Sequence, residues 1–210
     1  MADITEEAKE AADLAIALQE SEAVHIEVTA TDKCNCSCEY CFEQDHCTEH
    51  MSEDKQQKIA SLLREYCDSM SSSRSPSLYL SFWGGEPFLN FSFIDRVLRE
   101  TVKHKFVQWH IYTNGLVTDA IDKLVTADYF EEARDRLEVQ FSYDGEPHNT
   151  QKRKHDGKTT IENAKKLARA GVQVKFKATL SYDMIDKLPQ IWESYRDLHE
   201  EMSCYETADV

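Results

Sequence analysis

Residues 23–42 read AVHIEVTATDKCNCSCEYCF, and two patterns meet there. Val24, Ile26, Val28 and Ala30 alternate with His25, Glu27 and Thr29, the period-two signature of a strand with one apolar face. The strand runs into a loop in which Cys34, Cys38 and Cys41 stand at C-x3-C-x2-C, with Tyr40 before the third cysteine. Three thiolates so close together can hold three irons of a [4Fe–4S] cube and leave the fourth iron open to a substrate or cofactor. Cys36 lies in the same loop, so a structural zinc site and a set of inert thiols are the alternatives. A disulfide knot does not suit a reducing compartment.

Outward from this stretch, strands and helices alternate. Strands are predicted at 24–30, 78–83, 107–112, 137–143 and 172–180, and helices at about 53–68, 92–104, 119–133, 160–170 and 186–202. Ser52 and Thr159 or Thr160 are candidate N-caps, and Gly171 is a candidate C′ glycine. Ser71–Ser73 with Pro76 forms a loop rather than a domain linker. Such a series implies an α/β fold: a parallel sheet wound as a partial (β/α) barrel of about five βα units. In strands one, four and five the apolar set should face the helices. The polar set should line a concave side, as a polar lumen or as a sheet face left bare by incomplete closure. Glu27, His110, Glu138, Lys175 and Lys177 are the lumen candidates for substrate or acid–base roles, with structural ion pairs as the alternative.

Composition sets outer bounds. The 210 residues suffice for one substantial domain. A net charge of −15 argues against a broad nucleic-acid surface, though not against a nucleotide in a pocket. No apolar run reaches membrane-spanning length and no signal sequence is evident, so a cytoplasmic protein without a membrane partner is expected. Residues 1–22 carry seven acids and one base among helix-forming alanines and leucines. They read as an acidic N-terminal helical arm, either solvated or partner-binding, ahead of a core at 23–210.

Active sites of βα folds lie at the C-terminal ends of the strands. The cysteine loop follows strand one, Gly84-Gly85-Glu86-Pro87 strand two, and Thr113-Asn114-Gly115 strand three, while Ser142-Tyr143-Asp144-Gly145 closes strand four. Taken singly the last three are turn sequences; together, in this order, they resemble the core of the radical S-adenosylmethionine (radical SAM) superfamily. The likeness is greatest to its anaerobic sulfatase-maturase and peptide-modifying branch, where His148, Arg153 and Gly157-Lys158-Thr159 also find counterparts. It spans roughly residues 24–200.

The resemblance implies that Cys34, Cys38 and Cys41 ligate a [4Fe–4S] cluster and that S-adenosylmethionine binds beside it. Backbone at Tyr40 would touch the adenine, Gly84 and Gly85 would permit close approach, and Glu86 would accept from the cofactor's ammonium group. Ser142 and Asp144 would serve ribose or the methionine carboxylate, Asn114 the ribose or adenine, and Arg153 the methionine carboxylate. A flavodoxin- or ferredoxin-type donor would supply one electron. Reductive cleavage of the cofactor would give a 5′-deoxyadenosyl radical that abstracts hydrogen from a peptide or protein, or alternatively from a nucleotide or modified nucleobase. A non-catalytic iron–sulfur or partner-dependent module is the rival outside enzymology. The sequence also departs from the family: no clear sixth strand follows 186–202, and no C-terminal cysteine-rich extension is present. The chain is therefore expected to be a minimal enzyme, one truncated before a sixth βα unit, or one completed by a partner. Cys36, Cys47, Cys67 and Cys204 read as ordinary thiols.

Overall fold

The computed structural model describes residues 23–42, 50–70 and 77–206, with side chains to 203. The acidic segment 1–22, the loop at 71–76 and the side chains of Cys47 and Cys204 lie outside the described residues.

The predicted strands pair in chain order into one parallel sheet: β1 (Ala23–Thr31), β2 (Ser77–Gly84), β3 (Val107–Thr113), β4 (Leu137–Ser142) and β5 (Gln173–Lys177). Between them run α1 (Glu53–Ser69), α2 (Phe91–Thr101), α3 (Thr118–Val125), the short α4 (Phe130–Ala133), α5 (Lys158–Arg169) and α6 (Leu188–Glu206). The sheet does not close, because β1 and β5 pair on one side only, so the barrel is partial.

Strand parity decides which face is buried. The apolar set of β3, Val107, Trp109 and Ile111, is completely buried, as are Leu78, Leu80 and Phe82 of β2 and Val139 and Phe141 of β4. The stripe Ile94, Val97, Leu98 and Thr101 of α2 packs into the same core. The Trp109 indole donates to Thr101 Oγ1 at 3.1 Å, so its one polar atom is satisfied in the core. The alternate residues turn to the concave face, where register aligns Glu27, Ser81, His110 and Glu138 in one row across β1 to β4.

Several expectations need correction. The helix expected over 119–133 is two pieces, because Thr126 Oγ1 donates back to the carbonyls of Asp122 (2.8 Å) and Lys123 (3.3 Å) and ends α3. The strand expected over 172–180 stops at Lys177, since the Thr179 amide donates to Asp144 Oδ1 at 2.9 Å and leaves the sheet direction. Ser52 makes no side-chain cap, and neither threonine caps α5. Gly157 takes the N-cap position at φ 71°, while the Thr160 hydroxyl donates to the Asn114 carbonyl at 2.7 Å. Gly171 is where expected, at φ 83° past the end of α5.

Candidate active site

The four motif loops meet at the C-terminal ends of the strands around a cavity of about 240 Å³. Cys34, Cys38 and Cys41 line it, as do Tyr40, Gly84, Gly85, Asn114, Ser142, Arg153 and Lys177. The glycine pair sits where no side chain fits. A Cβ on Gly85 would stand 2.4 Å from the Lys33 carbonyl oxygen, and one on Gly84 2.1 Å from that of Thr31. The absent side chains allow the Gly85 amide to donate to Thr31 O at 2.9 Å and the Glu86 amide to Lys33 O at 2.7 Å. The loop after β2 thereby fixes the backbone just ahead of Cys34.

Glu86 is held by the chain itself. Its carboxylate is completely buried and does not line the cavity. Oε1 accepts from the Phe88 amide (3.0 Å) and the Thr113 hydroxyl (2.8 Å), and Oε2 from the Asn114 amide (2.7 Å). Burial pushes its pKa up to about 7 against the pull of these donors. With its oxygens turned to the Thr113-Asn114-Gly115 loop, it locks that loop to the glycine-rich one. Asn114, so held, lines the cavity and extends Nδ2 to Asn35 Oδ1 (2.6 Å) and toward Cys34 Sγ (3.9 Å).

Asp144 is held in the same way. It is completely buried beneath the cavity, with its carboxylate taken by the chain's own donors. Oδ2 accepts a hydrogen bond from the Tyr40 hydroxyl and lies 3.3 Å from His148 Nδ1. Arg153, 7% exposed, donates to the Tyr40 hydroxyl at 2.8 Å, and its Nη1 is 3.9 Å from Asp144 Oδ2. Burial opposes the charge of Arg153, but Tyr40, Cys38 and Asp144 together hold its pKa above the ordinary value. Burial likewise raises the Tyr40 phenol. The Nε of Arg153 is buried and has no hydrogen-bond partner among the described residues.

The thiols interact before any metal enters. The Cys36 amide donates to Cys34 Sγ at 3.4 Å. A hydrogen bond from the Cys36 thiol draws Cys38 down to about 7, with burial opposing and the Arg153 charge assisting. Cys36 itself is pushed up by its contacts with Cys34 and Cys38. Among the described residues no three His, Cys, Asp or Glu side chains converge tightly enough for a single metal ion. Cysteines spread around one cavity, with a backbone amide and a carboxamide directed at Cys34, form a soft donor set of the kind an iron–sulfur cluster takes.

Of the lumen candidates, Glu138 pairs with Lys175 Nζ at 2.6 Å and lies 3.9 Å from His110 Nε2, one step below the cavity. Burial lowers the His110 pKa. Glu27 is exposed on β1, and Lys177 alone of the five reaches the cavity. Trp83, Tyr112, Gln140 and Thr179 line it too and were not singled out from sequence. The parity of strand four places Gln140 on the concave face, but nothing in the sequence marks Trp83, Tyr112 or Thr179 as rim residues.

An open parallel sheet with cysteine, glycine-rich and Thr-Asn-Gly loops around one rim cavity defines the class. The chain belongs to the Radical SAM superfamily, whose family model matches residues 28–200. Members of that family use a [4Fe–4S] cluster and S-adenosylmethionine. Among individual proteins, the chain is 25% identical over 178 residues to the radical SAM cyclopropyl synthase TigE of Paramaledivibacter caminithermalis, covering 77% of this chain and 36% of that relative. In structure it is similar to anSMEcpe solved with bound AdoMet and the Cp18Cys peptide (TM-score 0.61, 18% identity, 83% of this chain, 47% of that one). It is also similar to Streptococcus suis SuiB bound to its precursor peptide SuiA (TM-score 0.63, 18% identity, 94% and 42%). The chain thus spans less than half the length of each of these relatives. No described helix is long and apolar enough to cross a membrane.

Proposed function

We propose that this chain is the catalytic core of a radical SAM enzyme that acts on a peptide or protein side chain. The observation behind the reading is the single cavity on which the cysteines, the glycine pair, Asn114, Ser142 and Arg153 converge. When bound, the cluster and S-adenosylmethionine together supply reductive cleavage of the S–C5′ bond and a 5′-deoxyadenosyl radical for hydrogen abstraction. The chain's residues do the rest. Cys34, Cys38 and Cys41 hold three irons, and the lowered Cys38 thiol eases its entry as thiolate. The Cys36 amide and the Asn114 carboxamide direct donors at the Cys34 sulfur, where they tune the cluster. Gly84 and Gly85 present bare backbone to the cofactor. Arg153, with its unpartnered Nε, takes the methionine carboxylate, and Ser142 and Asn114 serve the ribose side. A flavodoxin- or ferredoxin-type protein delivers the electron. The peptide class is supported by the peptides in the anSMEcpe and SuiB structures.

The test is anaerobic reconstitution, reduction with dithionite and chromatography for 5′-deoxyadenosine. The wild type should release it slowly from S-adenosylmethionine even without peptide, and Cys41→Ala should not. A protein with full iron and bound cofactor that yields none under strong reductant would favour a non-catalytic or partner-dependent module.

A further inference from the structure

The cavity walls are chemically lopsided. Among the described residues no aspartate or glutamate lines them, whereas two cations do, Arg153 and Lys177. Arg153 is engaged with Tyr40 and lies beside Asp144. Lys177 has no side-chain hydrogen bond or ion pair among the described residues. The nearby carboxylate of Glu138 is already taken, since it holds Lys175 two residues back on β5 at 2.6 Å. Lys177 pairs in register with Ser142 on β4, and Lys175 with Gln140. Like Lys177, the Gln140 and Ser142 side chains make no hydrogen bond within the described residues. The β4–β5 part of the rim is thus a strip of polar side chains without protein partners among the described residues, with the exposed Lys177 ammonium at its end.

The neighbouring β2–β3 part of the rim is aromatic, with Tyr112 in register beside Gln140. Trp83 at the end of β2 and Tyr112 near the end of β3 meet edge to face with centroids 5.3 Å apart, and Phe42 stacks on Trp83 at 6.4 Å. Aliphatic segments pack well against such faces, while an ammonium on the same rim selects an anionic tip. Ser142 is already assigned to the cofactor, which leaves Lys177 and Gln140 for whatever lies beside it.

We infer that Lys177, with Gln140 and the Trp83–Tyr112 wall, forms a specificity subsite for a carboxylate presented by a peptide substrate. This rests on the peptide-modifying reading and names the substrate class for that same cavity. The carboxylate belongs either to an internal glutamate or aspartate or to the peptide's C-terminus. The net charge of −15 repels acidic peptides at a distance, so the selection must come from short-range contact with Lys177.

Fluorescence anisotropy on the reconstituted, S-adenosylmethionine-loaded protein tests it. The probes are labelled octapeptide pools, randomised in Gly, Ala, Ser and Val, with one central Glu, Gln or Lys and an amidated C-terminus. A fourth pool has the central Gln and a free C-terminus. The wild type should bind the Glu pool, or the free-carboxylate pool, roughly 10-fold more tightly than the amidated Gln pool. Which of the two it prefers identifies the source of the carboxylate. Lys177→Gln should abolish the preference with cofactor affinity unchanged, and Lys177→Glu should turn it toward the Lys pool. Equal binding of all pools by a cofactor-loaded protein that releases 5′-deoxyadenosine would overturn the subsite and leave the enzyme reading standing. Loss of cofactor affinity in Lys177→Gln with the pool preference intact would assign Lys177 to the cofactor. A wild type that takes up neither iron nor cofactor would overturn both.

Discussion

Replacing Gly85 with alanine tests whether the glycine pair builds the metal loop. The added Cβ would stand 2.4 Å from the Lys33 oxygen and 2.7 Å from the Asp32 oxygen, and both obstacles are backbone. Carbon and oxygen cannot approach that closely, so one of the two loops must retreat by about 1 Å. Retreat stretches the hydrogen bonds that the Gly85 amide donates to Thr31 O and the Glu86 amide to Lys33 O, and it displaces Lys33, the residue before Cys34. Overpacking of this kind costs about 1–3 kcal/mol, which corresponds to a Tm drop of roughly 2–12 °C for a chain of this size. The larger effect should be on metal: iron per chain after anaerobic reconstitution should fall several-fold while the far-ultraviolet circular dichroism is retained. Gly171→Ala is the control. Its Cβ meets nothing closer than Arg134 at 3.6 Å, so only the φ of 83° is strained, at about 1 kcal/mol, and iron loading should survive. Full iron and an unchanged Tm in Gly85→Ala would refute the claim that this contact sets the loop.

Glu86→Gln replaces the oxygen that accepts from the Asn114 amide with a donor, and should destabilise the fold by about 1–3 kcal/mol in chemical denaturation. The folded pKa of Glu86, about 7, lies above the ordinary 4.5, so its contribution to stability is complete below pH 4.5 and is lost as pH rises through 7. Wild-type stability should therefore fall between pH 5 and pH 8 relative to the glutamine variant; a relative rise would contradict the assignment. Tyr40→Phe removes the hydroxyl that joins Asp144 to Arg153, and should lower cofactor affinity about 10-fold by equilibrium dialysis with iron content preserved. An unchanged affinity would mean that the network does not position Arg153.

The fold was legible because each strand carries one apolar face. Trp109, Phe82 and Phe141 fall at alternate positions, and burial is the only arrangement that satisfies them. The rim was legible because glycines and a cysteine loop recur at strand ends. The direction of buried carboxylates was not legible. Glu86 and Asp144 sit in motifs that touch a cavity, yet both turn away from it, because buried amides and hydroxyls of neighbouring loops need acceptors. That demand arises from segments far apart in sequence, such as Tyr40 and Asp144, and has no local pattern. The break between α3 and α4 was missed for a smaller reason, the back-bonding Thr126 within an otherwise helical stretch.

The central claim is that three cysteines of one loop hold a four-iron cluster with one iron open to the cofactor. Mössbauer spectroscopy of protein reconstituted with ⁵⁷Fe tests it most directly, alongside iron analysis of Cys38→Ala and Cys36→Ala. The account predicts about four irons per chain, with roughly a quarter of the signal shifting when S-adenosylmethionine is added. It also predicts loss of the cluster in Cys38→Ala and its retention in Cys36→Ala. A cluster whose irons all ignore the cofactor, or equal loss of iron from both variants, would contradict it.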